Sequence, residues 1–308
     1  MIHLIADAGD VWSRLFDFSD YGALVALLRN SIIAGAVLGV VGGLIGVFVM
    51  TRDLAFAVHG VSELSFAGAA AALLLGVNVV GGSLVGSLIA AIAIGVLGTR
   101  AKDRNSIIAV IMPFGLGLGI LFLALYDGRA SNKFGLLTGQ IVSVDNPQLG
   151  YLVAISAVVI VGLAVVWRPL MFASVDPDVA AARGVPVRTL SIVFMILLGL
   201  GTAVSIQIVG ALLVLSLLVT PAAAAMRVSS TPRVVVSLSV LFALASIVGG
   251  ILLALGSSIP ISPYVTTISF TIYLVCRGVD ALRARSGTSG GTRTLAGRGG
   301  SPAGRARA

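Results

Sequence analysis

The sequence predicts an all-α fold, a polytopic membrane helix bundle of about nine transmembrane helices, with roughly eight to ten compatible with the pattern. Of the 308 residues, 58% are hydrophobic and 10% are charged, and the mean hydropathy is +1.10. A soluble domain carries about 25% charged residues. The apolar runs are ~20 residues long and do not alternate with polar residues, so they fit spanning helices rather than barrel strands. In lipid, helices of this kind satisfy their own backbone groups.

Composition divides the chain into three regions. Residues 1–22 carry four aspartates against Arg14 alone, unlike the basic start of a cleaved signal peptide. We expect an external N-terminal segment there, lying against the membrane interface. Residues 23–283 form the transmembrane domain. Residues 284–308 are rich in Gly, Ser and Arg and predict a disordered, basic cytoplasmic tail.

Much of the net charge of +8 lies at the C-terminal end, where seven arginines and one acid, Asp280, follow from Arg277 onward. A basic end after a final span indicates contact with anionic membrane lipid, and we expect no nucleic-acid partner.

The predicted spans are separated by short polar connections. The sixth and seventh lie so close together, around 207–210, that we expect one of them to be broken or partly inserted. The nine spans are 24–50, 54–76, 80–98, 106–126, 149–167, 189–206, 208–225, 234–256 and 264–282.

Basic residues in the short connections predict the orientation. The 99–105, 168–188 and 227–233 loops each hold two or three Lys or Arg residues. Such loops face the cytoplasm, which puts the N-terminus outside and the C-terminus inside.

The second span carries His59 and Glu63, and Glu63 is the only glutamate in the chain. Four residues apart on a helix, they share a face with Cβ atoms roughly 5–6 Å apart. Glu63 lies ~15 Å along the helix from Asp53, about half of a ~30 Å hydrocarbon core. An imidazole and a carboxylate cost free energy in hydrocarbon, so the pair indicates a site.

Three interpretations of this pair stay open on chemistry alone. One nitrogen and one carboxylate oxygen suit a borderline divalent cation such as Zn²⁺ or Mn²⁺, and two ligands are too few for a closed structural site. The pair could also relay protons. In the third interpretation it is an inert, hydrogen-bonded pair inside the bundle.

Other chemistry is poorly supported, and we expect a transport protein rather than an enzyme. Neither of the two lysines, Lys102 and Lys133, follows a glycine, so the phosphate-binding G-x-x-x-x-G-K-[ST] loop is absent from the sequence. If ATP is used, a separate chain hydrolyses it. The zinc-protease H-E-x-x-H pattern is also absent.

Two further stretches draw attention. The run 207–226 contains Gln207, Ser216, Thr220 and Pro221, and on sequence alone it predicts a kinked, closely packed helix. The 175–188 loop has prolines near both ends and predicts a short helix over 179–183 that ends at Gly184. That helix could connect two spans or dock a cytoplasmic partner.

Three motifs carry a resemblance to a known family. They are the 46–68 run around His59 and Glu63, the V-G-A-L-L-V-L-S-L-L-V-T-P-A-A-A-A run at 209–225, and D-P-D-x-A-x-x-x-G at 176–184. Over residues 24–282 the chain resembles the permease subunits of ATP-binding-cassette (ABC) importers for zinc, manganese and ferrous iron, multi-pass proteins of the bacterial cell membrane.

The resemblance implies roles for particular residues. His59 and Glu63 would be the metal-path ligands by position, although relatives usually have Asp at the first position and His at the second, which leaves the preferred metal open. A secondary set along the path would be Gln207, Ser216, Thr220 and Pro221. The loop presented to the ATPase would contain Asp176, Asp178, Ala180 and Gly184.

The resemblance also implies an assembly of two permease chains, two cytoplasmic ATPase subunits and an external metal-binding protein. The metal is cargo rather than a resident cofactor, and ATP acts through the partner. Access would alternate around His59 and Glu63. A secondary transporter that uses Glu63 for ion or proton coupling is the alternative function, and a structural membrane scaffold is a third.

Overall fold

The computed structural model describes residues 21–98, 101–128, 135–136, 144–255 and 260–288. Within these ranges the chain is helical and contains no strand, which confirms the predicted all-α class. Residues 1–20 and 289–308, which hold most of the predicted external segment and tail, lie outside the described residues.

The helices follow one another with short connections. In chain order they are α1 Tyr21–Leu27, α2 Arg29–Thr51, α3 Ala55–Leu75, α4 Val79–Leu97, α5 Ala101–Leu125, α6 Asn146–Val175, α7 Pro177–Ala182, α8 Val187–Val209, α9 Val214–Leu218, α10 Thr220–Val228, α11 Pro232–Leu255 and α12 Ile261–Thr288, with a 3₁₀ turn at Ala211–Leu213 before α9.

Eight helices in the described ranges are long and apolar enough to cross a membrane, namely α2, α3, α4, α5, α6, α8, α11 and α12. They correspond to eight of the nine predicted spans. The predicted span 149–167 lies inside the longer α6, because the helix continues through the exposed Arg168 and through Pro169 to Val175.

The seventh predicted span, 208–225, is interrupted. After α8 ends at Val209, Gly210 takes a φ of +81°, which favours glycine, and the chain turns into α9. A second break lies at Val219, between α9 and α10. Pro221 explains this break, because proline lacks an N–H and its ring clashes with the preceding helical turn.

The interrupted segment 210–228 runs beside α12 along most of that helix. Three side chains of α12 donate hydrogen bonds to carbonyl oxygens of the residue directly before the segment, of its middle and of its end. From the first donor to the last, α12 rises roughly 31 Å, so the segment crosses about the same thickness as a spanning helix. The three bonds are Ser262 Oγ to Val209 O (3.3 Å), Ser269 Oγ to Ser216 O (3.2 Å) and Arg283 Nη1 to Val228 O (2.9 Å).

Three helices occupy the inside of the bundle. In α2, α3 and α8, 67%, 61% and 72% of the most apolar window is buried, against at most 33% in each of the other five. The outer helices therefore present most of their apolar side chains outward, as helices in contact with lipid do, and the inner three hold the polar groups described below.

Glycines allow the closest helix contacts. A Cβ on Gly43 of α2 would lie 2.5 Å from the Cα of Val240 in α11, so the two backbones touch there. Small residues at such crossings are typical of membrane helices. All glycines of α2 and α5 except Gly117 have another group within 4 Å of the Cβ position.

We predict that Gly43→Ala destabilises the bundle by about 1–3 kcal/mol, because the added methyl group overpacks a backbone contact. Gly117→Ala is the matched control. It adds the same methyl group in a helix where nothing lies within 4 Å, and should be neutral or stabilising by up to about 1 kcal/mol. Thermal unfolding of the detergent-solubilised chain measures both, and equal shifts for the two variants would contradict the α2–α11 packing.

Candidate functional site

His59 and Glu63 lie one turn apart on α3 and share a face, as their spacing predicts. His59 Nε2 is 3.6 Å from Glu63 Oε1. The Glu63 side chain is 3% exposed and the His59 side chain 27%. The carboxylate is therefore enclosed by the bundle, and the imidazole lies between it and the exterior.

The enclosure of Glu63 depends on close contact between α3 and its neighbours. A Cβ on Gly115 of α5 would lie 2.8 Å from the carbonyl carbon of Glu63 and the nitrogen of Leu64. Gly86 of α4 packs against the carbonyl oxygen of Leu64. Neither neighbour has a side chain at these contacts, so both backbones pack directly against the helix at the level of the carboxylate.

One oxygen of the carboxylate has no protein partner. Glu63 Oε2 is buried and forms no hydrogen bond with any group in the described part of the chain. Buried polar atoms are nearly always paired, and an unpaired one is costly to leave in place. The bundle therefore buries the Glu63 carboxylate without pairing both of its oxygens in the described residues.

The pair supplies few ligands by itself. Within the ranges that the structure describes, no three residues among His, Cys, Asp and Glu come together to hold a metal ion. Any cation bound by His59 and Glu63 would take its remaining ligands from solvent, from backbone oxygens or from another protein chain.

The interrupted segment 210–228 contacts α3 beside the pair. Ser62 Oγ donates a hydrogen bond to the carbonyl oxygen of Ala211, 3.0 Å away. None of the hydrogen bonds or ion pairs found in the described residues joins His59 or Glu63 to the predicted path residues. Those four residues are Gln207 in α8, Ser216 in α9, and Thr220 and Pro221 at the start of α10.

Gln207 shares one property with Glu63. Its Nε2 is buried and has no hydrogen-bond partner among the described groups. The side chain lies in the last turns of α8, directly before the break at Gly210.

The short helix predicted in the 175–188 loop is present as α7. Asp176 caps it by accepting a hydrogen bond from the N–H of Val179 at 3.0 Å. Ala180 is buried, whereas Asp178 is exposed. Gly184 has a φ of +80°, which ends the helix as predicted.

Arg52, between α2 and α3, makes contacts that the sequence did not predict. Nη2 hydrogen-bonds Ser191 Oγ and Nη1 reaches Ser174 Oγ at 3.4 Å. The guanidinium lies over the Phe194 ring, 5.7 Å from its centroid. Burial and the neighbouring Arg104 charge lower the pKa of Arg52. The available sequence signal was an arginine between two apolar runs only a few residues apart.

The model of the ABC 3 transport family matches residues 25–279 of the chain. The chain is similar to the manganese transport system membrane protein MntC of Halalkalibacterium halodurans, with 28% identity over 240 residues, 78% of this chain and 82% of that protein. It is 29% identical over 229 residues to the high-affinity zinc uptake system membrane protein ZnuB of Haemophilus influenzae, covering 74% of this chain and 88% of that protein.

A solved structure shares the fold. PsaBC from Streptococcus pneumoniae, in complex with a Fab, superposes with a TM-score of 0.75 over 84% of this chain and 95% of that one, at 23% identity. At this identity the likeness concerns the arrangement of the helices.

We predict that Glu63→Gln leaves thermal stability unchanged or raises it, because the buried charge is removed while the shape is kept. Ser83→Ala is the comparison, a buried hydroxyl paired with Ser65 Oγ (2.8 Å) and Ala203 O (3.3 Å). Its loss should cost about 0.5–1.5 kcal/mol per hydrogen bond. Unfolding in detergent measures both, and a loss in Glu63→Gln as large as in Ser83→Ala would favour the inert-pair interpretation.

Proposed function

The chain belongs to the ABC 3 transport family, and from this membership we infer that it is the membrane permease of an ABC importer for manganese or zinc. We propose in addition that the cation crosses the bundle between His59 and Glu63 and that access to this pair alternates between the two sides of the bacterial cell membrane. The unpaired, buried Oε2 of Glu63 is the observation that carries the proposal.

The separation of the two side chains supports a shared cation. Zinc binds imidazole nitrogen and carboxylate oxygen at about 2.0–2.2 Å, so two ligands at a tetrahedral angle are ~3.4 Å apart. His59 Nε2 and Glu63 Oε1 are 3.6 Å apart, longer than an ordinary hydrogen bond and close to this value. The gap can admit an ion without large movement of either side chain.

An incomplete ligand shell suits transport. A structural zinc site is closed by four protein ligands, and an ion held that way does not leave. Two ligands on one helix bind more weakly, and water or a second copy of this chain in a homodimer can complete the shell. The same two ligands accommodate manganese, zinc or ferrous iron, so the ligand set leaves the preferred metal open.

The interrupted segment 210–228 is proposed as a further wall of the path. Gly210 and Val219 interrupt the regular helix of this segment, and irregular segments at membrane depth are buried in protein or line cavities. Ser216 and Thr220 lie on this segment, Pro221 forms its second break, and Gln207 precedes the first.

We propose that ATP hydrolysis in a separate chain acts on the bundle through α7. We place α7 and the start of α3 on the cytoplasmic side, with the N-terminus outside and the C-terminus inside, because the basic loops face the cytoplasm. A separate cytoplasmic ATPase then docks on α7 through the exposed Asp178 and Gly184, while Asp176 caps the helix and the buried Ala180 packs against the bundle, and an external metal-binding protein delivers the ion. ATP changes access only if it favours one state of the bundle over the other.

We predict that Glu63→Gln and His59→Ala each lower uptake of radiolabelled Mn²⁺ or Zn²⁺ by at least about tenfold, because each removes one of the two ligands. Uptake is measured in cells that express the chain with its ATPase. Asp103→Asn is the control, an exposed acid in the first turn of α5.

Wild-type uptake in both variants would exclude the pair as the ion path. Uptake by the purified chain alone, driven by a proton gradient without any ATPase, would instead support the secondary transporter that uses Glu63.

We predict that Gly184→Pro lowers co-purification of the ATPase with this chain. Proline cannot adopt the φ of +80°, and the substitution removes the Gly184 N–H bond to Ala181 O, 2.9 Å long. Gly76→Pro is the matched control, because Gly76 has a φ of +69° and ends α3 at the opposite end of that helix. Equal loss of the ATPase in both variants, or none in Gly184→Pro, would argue against docking at α7.

A further inference from the structure

Arg52 connects the two chain segments that flank α7. Ser174, which Nη1 reaches at 3.4 Å, is in the last turn of α6, two residues before the cap of α7. Ser191, which hydrogen-bonds Nη2, is in the early turns of α8, directly after the loop that follows α7. One guanidinium therefore spans the entry to α7 and the exit from it.

The same residue follows α2 and precedes α3, the helix that carries the candidate ion site. Arg52 lies three residues before Ala55, where α3 begins, and His59 follows one turn later. The intervening turn is tight: Leu54 N–H bonds Val49 O at 2.8 Å, and Asp53 adopts a φ of +55°. Aspartate tolerates this conformation better than most residues, and only Asp53 and Leu54 separate Arg52 from α3.

An aromatic cluster lies next to the guanidinium and joins α6 and α8 to the end of α2. Phe48 of α2 meets Trp167 of α6 edge-on, with ring centroids 4.8 Å apart, and Phe194 of α8 at 5.8 Å. Arg52 sits over the Phe194 ring at 5.7 Å. The side chain is thus positioned by packing, and it contacts both of the helices that enter and leave α7.

The partners of Arg52 suit a contact that is broken and remade. The ion pairs within 4 Å among the described residues are His59–Glu63 and Arg227–Asp280, so Arg52 is held by hydroxyl groups rather than by a carboxylate. A hydrogen bond from a charged donor to a neutral hydroxyl is weaker than a bidentate salt bridge. When this hydrogen bond is lost, no second buried charge is left without a partner.

We propose that Arg52 is a positioning residue that transmits movement of α7 to α3, so that a displacement of α7 shifts His59 and Glu63. The inference rests on the proposed function, in which an ATPase acts on α7. Arg52 does not touch the ion, and its role is to make ATP hydrolysis productive.

The test compares hydrolysis with transport in proteoliposomes that hold this chain and its ATPase. In Arg52→Gln we expect ATP hydrolysis to stay in the wild-type range while uptake of radiolabelled Mn²⁺ or Zn²⁺ falls at least about tenfold, the size of a typical coupling effect. Combined Ser174→Ala and Ser191→Ala substitutions should separate the two activities in the same way without changing the charge. Arg233→Gln, at an exposed arginine in the first turn of α11, is the control and should change neither.

A parallel fall of hydrolysis and uptake in Arg52→Gln would show a merely structural role, and wild-type values for both would show no role. Either result overturns the proposal. Wild-type hydrolysis and uptake in the combined Ser174→Ala and Ser191→Ala variant would overturn the role that the proposal gives to the two hydroxyl groups.

A second measurement needs no transported ion, so it separates failure of this inference from failure of the proposed function. Spin labels at Ala182→Cys in α7 and Phe56→Cys in α3, both exposed, report the α7–α3 distance in a Cys276→Ser background. With Arg52 present, ATP should leave this distance distribution narrow, since the two helices move together. In Arg52→Gln the distribution should broaden or shift on ATP addition. Identical distributions in the two proteins would refute the link, whatever the chain carries.

Discussion

The close packing of α3 between its neighbours is the contact on which the candidate site depends. Gly86 and Gly115 bring the α4 and α5 backbones directly against the helix at Glu63. This packing buries the carboxylate, one of whose oxygens has no partner among the described residues. A larger side chain at either glycine would separate the helices and open the site. The two glycines therefore keep the Glu63 carboxylate buried.

The inner helix α3 is also held by hydrogen bonds that can break and re-form. Arg52 connects its beginning to the segments around α7, and Ser62 connects its middle to the interrupted segment 210–228. These contacts are hydrogen bonds to hydroxyl or carbonyl groups, whereas the glycine seams are packed backbone. A permease must keep its helices together while it changes access to an ion. The packed glycine contacts can hold the helices together, and the hydrogen bonds of Arg52 and Ser62 can break and re-form.

Much of the fold could be predicted from sequence, because lipid allows few alternatives. An apolar run of ~20 residues must form a helix, so the all-α class and eight of the spans follow directly. The four-residue spacing of His59 and Glu63 predicts their shared face. The prolines and Gly184 of the 175–188 loop predict a short helix there. These features are local: each depends on residues within a few turns of one another.

Features that depend on contacts between distant residues required the tertiary structure. The path of 210–228 beside α12 rests on bonds to Ser262, Ser269 and Arg283, and hydropathy does not show which helix lies alongside. The unpaired oxygen of Glu63 and the hydrogen bonds of Arg52 to Ser174 and Ser191 also depend on contacts between distant residues. By itself the sequence determined which segments are helices and that one of them carries an acid and an imidazole, since periodicity and spacing act along the chain. Only the tertiary structure decided which neighbours enclose that pair and which side chain connects it to α7, because burial and hydrogen bonding between helices are properties of the packed bundle.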